Sequence, residues 1–264
     1  MDRSLVVFGD YPHFKHSLMG ALEGRCFRST PAETWRRDSR SETAFIRWAP
    51  WSLYQIPQAA RALFPAGAHV INDTHFDCAK DNVHRHMQAV FGYSSAVNSE
   101  TSVNRGVIKS KTNATHDGVI IDFPCRTPGN CVAEILIDNI TDDGLACDIR
   151  LPMILGEIPL AYLKYRPKNT RFSNTNSHAK LISPLDALSA EELAMCITFA
   201  RSIGLDYGEL DVLRDRTDGR IYIVDANNTP YGPPNHLPGP EHYEALSIFE
   251  RAFAKFIPWI RAER

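Results

Sequence analysis

The chain has 264 residues, of which 44% are hydrophobic and 23% are charged, and its formal net charge is −2. The near-neutral charge excludes the basic surface of a typical nucleic-acid-binding protein, and no apolar run is long enough for a membrane-spanning helix. Six cysteines without a CxxC pair, and an N-terminus without a signal-peptide pattern, predict reduced thiols in a cytoplasmic protein. We therefore expect no nucleic-acid partner and no membrane partner.

The first third of the chain alternates strand and helix signals. A helix that Ser52 would cap lies between the second and third apolar runs, and another helix is predicted from Cys78 to Phe91, where Gly92 ends it. The apolar runs predict strands at residues 5–8, 44–48 and 69–71. Strands that alternate with helices predict a small parallel α/β layer.

The rest of the chain changes to runs typical of antiparallel strands, joined by polar turns. Ser189 and Glu192 form a capping box that begins a helix, which continues to Ser202. An amphipathic helix closes the chain from about Glu241 to Phe256. The predicted strands cover residues 107–109, 118–122, 132–137, 147–151, 161–166, 206–213 and 220–226. This order predicts a mixed α/β (α+β) protein.

The last predicted hairpin carries the most informative polar residues. Because side chains alternate along a strand, Glu209 and Asp211 share one face, and Asp225 and Asn227 share a face of the next strand. Pairing of the strands places Asp211 opposite Asp225 and Asn227, and such oxygen ligands suit Mg²⁺. The alternative is the polar outer face of an exposed hairpin, which the apolar neighbours of these residues disfavour. We predict a metal site formed by Asp211, Asp225 and Asn227.

Cationic residues follow a similar pattern on earlier strands. Lys109 and Lys111 lie on one face of a predicted strand, where both would reach phosphate oxygens; the alternative is a pair of surface lysines. Arg150, Lys164 and Arg166 lie on two strands that we expect to be neighbours. Such cations stabilise a transferring phosphoryl group, although taken alone they also fit an exposed salt-bridged hairpin.

These elements resemble the ATP-grasp superfamily in their order along the chain as well as in type. The resemblance covers roughly residues 70–232, and its specific part is the final strand pair at 204–211 and 222–230. It implies a small N-terminal parallel α/β layer followed by two mixed or antiparallel subdomains that grip ATP. The implied division is an N-terminal subdomain at 1–76, a small subdomain with the phosphate-binding strands at 77–137, and a large subdomain with the metal-binding strands at 138–264.

The resemblance also implies roles for individual residues. Mg²⁺ would be held by the predicted metal site, and Arg150, Lys164 and Arg166 would be catalytic. Residues 134–138 resemble the hinge, where the backbone reads adenine and an acid binds ribose. The residues implied in ATP binding are Lys80, Lys109, Lys111, His116, Glu134, Leu136, Ile137 and Asp138. Asn174 lies where the family loop often has a polar residue.

Two departures from the family pattern stand out. Asp225 occupies a position where the family usually has Glu, so the site must close around a shorter side chain. The loop at 110–118 has one glycine, whereas the family loop is glycine-rich and covers the phosphates with backbone amides. Asn113, Thr115 and His116 are expected to supply side-chain donors instead. A histidine in this loop resembles the inositol-phosphate kinase branch of the superfamily.

Two further features have modest predicted roles. His84 and His86 face different sides of a helix, so we expect structural or solvent-exposed histidines rather than a metal pair. The loop at 231–239 is a candidate for lining a second-substrate site, although rigid proline chemistry explains it equally well.

The leading functional prediction is an ATP- and Mg²⁺-dependent, ADP-forming ligase that joins a carboxylate to an amine, or a similar nucleophile, through an acyl-phosphate. One alternative is a small-molecule kinase, and a second is a nucleotide-binding module without chemistry of its own. The expected substrate is a small molecule or a peptide with a carboxylate or another phosphoryl acceptor. The acceptor's identity and the oligomeric state stay open at this point.

Overall fold

The computed structural model describes residues 3–36, 41–49, 56–62, 64–65, 67–73, 77–112, 115–173 and 175–261. In these residues the chain forms three β-sheets with helices packed against them. The strands are β1 (Arg3–Gly9), β2 (Arg28–Pro31), β3 (Glu42–Trp48), β4 (Val70–Ile71), β5 (Arg105–Ser110), β6 (Val119–Asp122), β7 (Cys131–Ile135), β8 (Leu145–Ile154), β9 (Ala161–Pro167), β10 (His178–Ile182), β11 (Tyr207–Arg214), β12 (Ile221–Asn227) and β13 (Ile260–Arg261). The helices are α1 (Tyr11–Lys15), α2 (Leu18–Ala21), α3 (Gln58–Arg61), α4 (Lys80–Phe91), α5 (Pro184–Ala187), α6 (Ala190–Ser202) and α7 (Gly239–Phe256), with a 3₁₀ turn at Lys168–Thr170.

The N-terminal sheet confirms the predicted parallel layer. β1 pairs in parallel with β2 and with β3, and β3 pairs in parallel with β4. The apolar runs of β1 and β3 are buried, as expected for a parallel sheet that is covered on both faces. β13 joins the same sheet antiparallel to β3. Ser52, the predicted helix cap, lies outside the described residues, and α3 covers a shorter span than we predicted.

Several short elements were not predicted from the sequence. α1 and α2 span five and four residues, too few to show a helical period. β2 and β10 are edge strands in which polar side chains interrupt the apolar pattern. Edge strands tolerate such residues because one side of each faces solvent. The longer elements, α4, α6 and the hairpin of β11 and β12, are confirmed.

The second sheet is fully antiparallel and has the strand order β10-β9-β8-β11-β12. Because successive side chains point to opposite faces, its apolar residues and its charged residues separate. One face packs against α4 and α6 through residues such as Ile149, Leu210 and Val212. The other face carries the charged residues of the candidate site and, farther along, packs against the N-terminal sheet through Ile154 and Tyr207.

A register shift in this sheet orients the end of β12. Val212 pairs with Ile223, whereas the next pair is Asp211 with Asp225, so Val224 is an extra residue on β12. Such a β-bulge re-aims the side chains that follow it. Here it brings the carboxylate of Asp225, instead of the Val224 side chain, opposite Asp211.

The third sheet has the order β6-β5-β7 and forms one wall of the cleft described below. α4, which precedes this sheet in the chain, packs its buried residues Val83 and Met87 into the core of the antiparallel sheet. α7 packs Ala245, Phe249 and Phe253 onto the N-terminal sheet. The predicted subdomain boundaries at residues 76 and 137 are not visible as separate packing units, because α4 and α7 each pack on a sheet from another predicted subdomain. The division into three subdomains stays a proposal.

Asn72 joins the N-terminal layer to the antiparallel sheet. Its Nδ2 donates to the carbonyl of Tyr207 at 2.7 Å, and its Oδ1 accepts from the backbone N–H groups of Asp206 and Tyr207, each at 2.9 Å. The backbone N–H of Asn72 donates to the Asp206 carboxylate at 3.0 Å. Asn72 is fully buried and has a φ of 59°, which asparagine tolerates better than most residues. Among the described residues, no helix is both long and apolar enough to cross a membrane.

Candidate active site

Two carboxylates face each other where β11 pairs with β12. Asp211 lies directly opposite Asp225, and Glu209 lies opposite Asn227. This confirms the predicted pairing of Asp211 with Asp225, whereas Asn227, predicted opposite Asp211 as well, pairs with Glu209. Gly208, which precedes these residues, permits the close approach of the strands, because a Cβ atom there would collide with the carbonyl oxygen of Asn227.

Asp211 is held by cations from the neighbouring strands. The Arg150 guanidinium binds it with both arms, from Nε to Oδ1 at 2.9 Å and from Nη2 to Oδ2 at 3.0 Å. Lys164 Nζ donates to Oδ1 at 3.2 Å. Burial alone would raise the pKa of Asp211, but Arg150 and Lys164 outweigh burial and hold the pKa far below its usual range. Asp211 is therefore ionised at neutral pH.

Asp225 has a different electrostatic environment. Burial raises its pKa, Lys80 at 4.0 Å opposes that shift, and the like charge of Asp211 adds to it. Asn227 points the same way along β12, and its Oδ1 accepts the N–H of Thr229 at 3.0 Å. Among the described residues there is no cluster of three or more His, Cys, Asp or Glu side chains arranged for a metal ion. Two carboxylates and an amide oxygen nevertheless fit Mg²⁺, which often takes one or two protein carboxylates and completes its shell with phosphates and water.

Glu209 lies behind this pair and is closed to solvent. Burial raises its pKa to about 7, although Arg150, whose Nη1 lies 3.2 Å from Oε2, lowers it. Neither carboxylate oxygen has a hydrogen bond of good geometry within the described part of the chain. Arg150 thus contacts two acidic residues, Asp211 at the site and Glu209 beneath it.

A second ion pair lies next to the first on β8 and β9. Arg166 Nη2 contacts Asp148 Oδ2, and Asn139 Nδ2 donates to the other oxygen of Asp148 at 3.0 Å. Burial raises the pKa of Asp148 even though Arg166 opposes that shift. Arg166 also donates to the carbonyl oxygens of Arg171 and Ser173, at 3.1 and 2.8 Å. The predicted cations Arg150, Lys164 and Arg166 therefore lie together on one sheet face.

The two carboxylates Asp211 and Asp225 and the neighbouring charged residues of β8 and β9 line a cleft of about 430 Å³ between the two antiparallel sheets, whereas Asn227 and Glu209 are not among its lining residues. The hairpin loop at one rim contributes His116 and Gly118, and a Cβ atom on Gly118 would press against the Phe172 ring of the opposite wall. His116 is exposed with a φ of 50°. The charged lining residues are Lys80, Lys109, Arg150, Lys164, Arg166, Arg171, Asp117, Asp148, Asp211 and Asp225. Cations outnumber acids in this lining, which suits an anionic ligand.

Lys80 and Lys109 enter the cleft from different elements. Lys80, the first residue of α4, donates from Nζ to the carbonyl of Thr112 at 3.2 Å. Lys109 on β5 lies 2.8 Å from Glu134 Oε2 and donates to the carbonyl of Val224 at 3.3 Å. Glu134 is buried on β7 and binds Lys109 and His84. The carboxylate that we expected at the hinge therefore contacts two protein side chains.

Lys111 does not join Lys109 in the cleft. β5 ends at Ser110, and Lys111 Nζ lies 3.3 Å from Asp81 Oδ2 at the start of α4. Its side chain lines a separate open groove of about 580 Å³. The predicted pairing of the two lysines on one face fails here because the strand ends before Lys111.

The segment predicted as the hinge borders a small apolar cavity of about 110 Å³ that adjoins the cleft. Ile137 lines this cavity, and its carbonyl oxygen accepts a hydrogen bond from Arg171 Nη2 at 2.6 Å. Asp138 is exposed, and its Oδ1 accepts the N–H of Ile140 at 3.3 Å. Leu136, which precedes them in the chain, is partly buried.

Arg171 is a cleft residue that the sequence analysis did not identify. Arg171 follows a 3₁₀ turn and has no pattern that marks it in the sequence. Tyr231 begins the loop that we proposed for a second substrate, and its ring lies 4.7 Å from the His13 ring of α1. Asn113 and Asn174, both predicted near the site, lie outside the described residues.

Curated proteins share sequence with part of this chain, whereas no family model matches it. The probable alpha-L-glutamate ligase of Klebsiella pneumoniae (strain 342) is 26% identical over 158 residues, which are 60% of this chain and 47% of that protein. The ribosomal protein bS6–L-glutamate ligase of Escherichia coli O7:K1 is 26% identical over 155 residues, 59% of this chain and 46% of that protein. The chain spans about half the length of the curated relatives it matches.

Solved structures match over more of the chain. D-alanine–D-alanine ligase from Bacillus anthracis is 11% identical, covers 97% of this chain and 96% of its own, and has a TM-score of 0.57. The ATP-grasp ligase PsnB, in complex with a phosphomimetic variant of its minimal precursor, Mg and ADP, is 14% identical, covers 87% and 90%, and has a TM-score of 0.52. At these identities the likeness shows a shared fold.

Proposed function

We propose that this chain, which shares the fold of ATP-grasp ligases, is an ATP- and Mg²⁺-dependent, ADP-forming ligase that joins a carboxylate to an amine or a similar nucleophile. The proposal rests mainly on one observation. The facing carboxylates Asp211 and Asp225 lie in a cleft whose charged lining residues are mostly cations. Phosphate groups and a divalent cation together complement that charge pattern.

The nucleotide's phosphates would lie against Lys80 and Lys109, whose side chains line the cleft. The base would occupy the small cavity beside residues 136–138, of which Ile137 lines the wall. An adenine amino group would replace Arg171 as the partner of the Ile137 carbonyl, since both groups donate. His116, at the cleft rim, supplies a side chain where a glycine-rich loop would supply backbone amides.

Asp211, Asp225 and Asn227 would hold Mg²⁺, which when bound neutralises charge on the phosphates. Asp211 is ionised and oriented in advance by Arg150 and Lys164. Binding of a cation would also relieve the repulsion between Asp211 and Asp225, which contributes to the raised pKa of Asp225.

Arg150, Lys164 and Arg166 would stabilise the negative charge of the transferring phosphoryl group and of the acyl-phosphate that results. The sheet sets their spacing, because Lys164 pairs with Asp148 and Tyr162 pairs with Arg150 across β8 and β9. Attack by an amine on the acyl-phosphate releases phosphate. No protein nucleophile is required.

We propose a small molecule or a peptide as the acceptor. The printed names of the relatives support both, since one acts on ribosomal protein bS6 and PsnB is seen with a precursor. The relatives and structural neighbours are named ligases, which supports ligation over the kinase alternative. Free thiols at all six cysteines support a reducing compartment such as the cytoplasm.

Trapping of the acyl-phosphate tests the reaction type. The protein is incubated with Mg-ATP, pooled carboxylate acceptors and hydroxylamine, which converts an acyl-phosphate to a hydroxamate. We expect hydroxamate, ADP and free phosphate in equal amounts by mass spectrometry and phosphate assay. A stable phosphorylated product without hydroxamate would indicate a kinase. Nucleotide binding with no ADP formed from any acceptor would indicate a binding module. Either result would overturn the ligase proposal.

Asp211→Asn tests the metal site. The amide keeps the side chain's size but loses the charge, so we expect the gain in ATP affinity on adding Mg²⁺ to fall at least about tenfold. Titration calorimetry with and without Mg²⁺ measures this ratio. Asp142→Asn is the matched control, because its side chain is exposed and pairs with Arg216. An unchanged ratio for Asp211→Asn would exclude Asp211 as a ligand.

A further inference from the structure

Two buried polar side chains and one partly buried lysine link α4 to the cleft. His84 Nε2 lies 2.6 Å from Glu134 Oε1, and Lys109 Nζ lies 2.8 Å from Glu134 Oε2. The side chains of His84, Glu134 and Lys109 are exposed by 7%, 4% and 13%. Lys109 is the most exposed of the three, and it lines the cleft. His84 and Glu134 do not line the cleft, although Glu134 borders the small adjoining cavity.

The hydrogen-bond roles in this cluster follow from the charge of Glu134. Burial opposes a charge on Glu134, but Lys109 and His84 lower its pKa to about 2, so the carboxylate is ionised. An ionised carboxylate can accept hydrogen bonds but cannot donate them. His84 must therefore carry a proton on Nε2 and donate it to Oε1. Each oxygen of Glu134 then has one donor, and the orientation of the carboxylate is determined.

Lys109 is fixed by the same arrangement. Glu134 and Lys109 lie on the neighbouring strands β7 and β5, where Glu134 pairs with Val107 and Lys109 pairs with Val132, so the two are diagonal neighbours. Two of the three N–H donors of Lys109 point to Glu134 and to the carbonyl of Val224, within the described part of the chain. The third N–H is left for a ligand in the cleft.

α4 thus positions cations in the cleft in two ways. Lys80, its first residue, lines the cleft directly. His84 lies four residues later, on the same side of the helix, and reaches the cleft through Glu134. The helix itself is anchored by Val83 and Met87 in the core of the antiparallel sheet that bears Asp211 and Asp225. The relative positions of Lys109 and the two carboxylates therefore depend on one rigid helix.

We propose that His84 and Glu134 are positioning residues that hold the Lys109 ammonium group where it meets the phosphates of a bound nucleotide. The inference rests on the proposed function, which places Lys109 on the phosphates. A lysine side chain has a flexible four-carbon stem, and fixing it in advance reduces the entropy lost when a ligand binds. The competing explanation is a buried ion cluster that stabilises the fold and has no effect on ligand affinity.

A double-mutant cycle separates the two explanations. The affinity for Mg²⁺ with AMPPNP, a non-hydrolysable ATP analogue, is measured by titration calorimetry on the full chain, far below the melting temperature of each variant. We expect His84→Leu to weaken binding about tenfold, as when the outer partners of a ligand-binding group are removed. His84→Gln, whose amide donates to the same carboxylate, should bind within about threefold of wild type. In a Lys109→Met background, His84→Leu should have no further effect, since its action passes through Lys109.

His86→Leu is the matched control, because His86 lies on the same helix but contacts Ser202 on another side, and its affinity should equal that of wild type. If His84→Leu fails to fold, Glu134→Asp replaces it, since the shorter acid keeps its charge but cannot reach both partners. Equal weakening with and without Lys109, or a lower melting temperature with unchanged affinity, would overturn the inference. Absence of saturable binding by the wild-type protein would instead overturn the proposed function itself, whatever the variants do.

Discussion

Glu134 keeps a negative charge inside the protein because two donors surround it. Burial favours the neutral acid, but Lys109 and His84 reverse that preference and lower the pKa from its ordinary value of 4.5 to about 2. Since the folded state binds its proton more weakly than the unfolded state, ionisation of Glu134 stabilises the fold. That stabilisation is complete above pH 4.5 or so and is lost as the pH falls toward 2.

A comparison of wild type with Glu134→Gln tests this linkage. We expect the free energy of unfolding at pH 7 to be lower in the variant by about 2 kcal/mol, the size of a hydrogen bond to a charged group. The difference should shrink as the pH is lowered from 4.5 toward 2, because Glu134 then becomes protonated too. Urea unfolding at a series of pH values measures it. Glu100→Gln, an exposed acid, should show no such difference. If the difference in unfolding free energy between wild type and Glu134→Gln did not change with pH, Glu134 would not be the ionised group that we infer.

At the scale of elements, the N-terminal capping box of α6 also connects the helix to the antiparallel sheet. The Ser189 hydroxyl accepts the N–H of Glu192 at 3.1 Å, and the Glu192 carboxylate accepts the N–H of Ser189 at 2.8 Å. Both bonds of the capping box are present, as the sequence predicted. The same carboxylate binds Arg214 at 2.8 Å, so the helix start is also tied to β11.

Ser189→Ala removes the cap while leaving the helix core intact. We expect a loss of about 1 kcal/mol in the free energy of unfolding, since one backbone N–H of the first turn loses its acceptor. Chemical denaturation measures the change. Thr198→Ala, at an exposed position in the same helix, should be neutral or slightly stabilising because alanine favours helix. Equal effects of the two substitutions would show that the capping bond contributes nothing.

At the scale of the whole molecule, the N-terminal layer is attached to the antiparallel sheet by specific polar contacts as well as by a shared apolar core. Asn72 supplies three side-chain hydrogen bonds to the backbone at the start of β11. The apolar cluster around Trp48 and Phe249 continues into Tyr162 and Tyr207 of that sheet. β11 therefore bears Asp211 at the cleft and binds the N-terminal layer at its other end.

Asn72→Ala should destabilise the protein by roughly 2–4 kcal/mol, because buried backbone donors and a carbonyl lose their partner. Asn72→Gly distinguishes hydrogen bonding from backbone strain, since glycine adopts a positive φ without penalty but offers no side-chain bonds. Thermal and urea unfolding measure both variants. We expect both to be destabilised, and Asn104→Ala, at an exposed position, to behave like wild type. Near-wild-type stability of Asn72→Gly would show that the side-chain bonds matter little.

Elements with long periodic patterns were predictable. α4, α6, α7 and the longer strands follow their apolar spacing because each buries one face against a sheet. α1, α2, β2 and β10 were missed, since a short element carries too few residues to define a period. The contrast is physical: a long amphipathic element specifies its own burial, whereas a short one is stabilised mainly by what surrounds it.

The residue types of the site were also predictable from the sequence. Their exact orientations, and some of the other residues that line the cleft, were not. Alternation along β11 and β12 predicts that Asp211 meets Asp225, and this pairing is confirmed. The bulge at Val224 that aims Asp225 is a property of the paired strands, so one strand's sequence does not reveal it. Lys111 turned away because β5 ends at Ser110, and Arg171 lines the cleft without any sequence signal.

The sequence by itself determined the mixed fold class and the chemistry of the residues that line the cleft, because local periodicity and side-chain type are properties of the chain alone. Tertiary structure decided which of those residues act together. Glu134 was predicted at a nucleotide hinge, yet its carboxylate contacts Lys109 and His84. Contacts between residues 25 and 50 positions apart in the chain arise when sheets and helices pack, and packing is a property of the whole molecule.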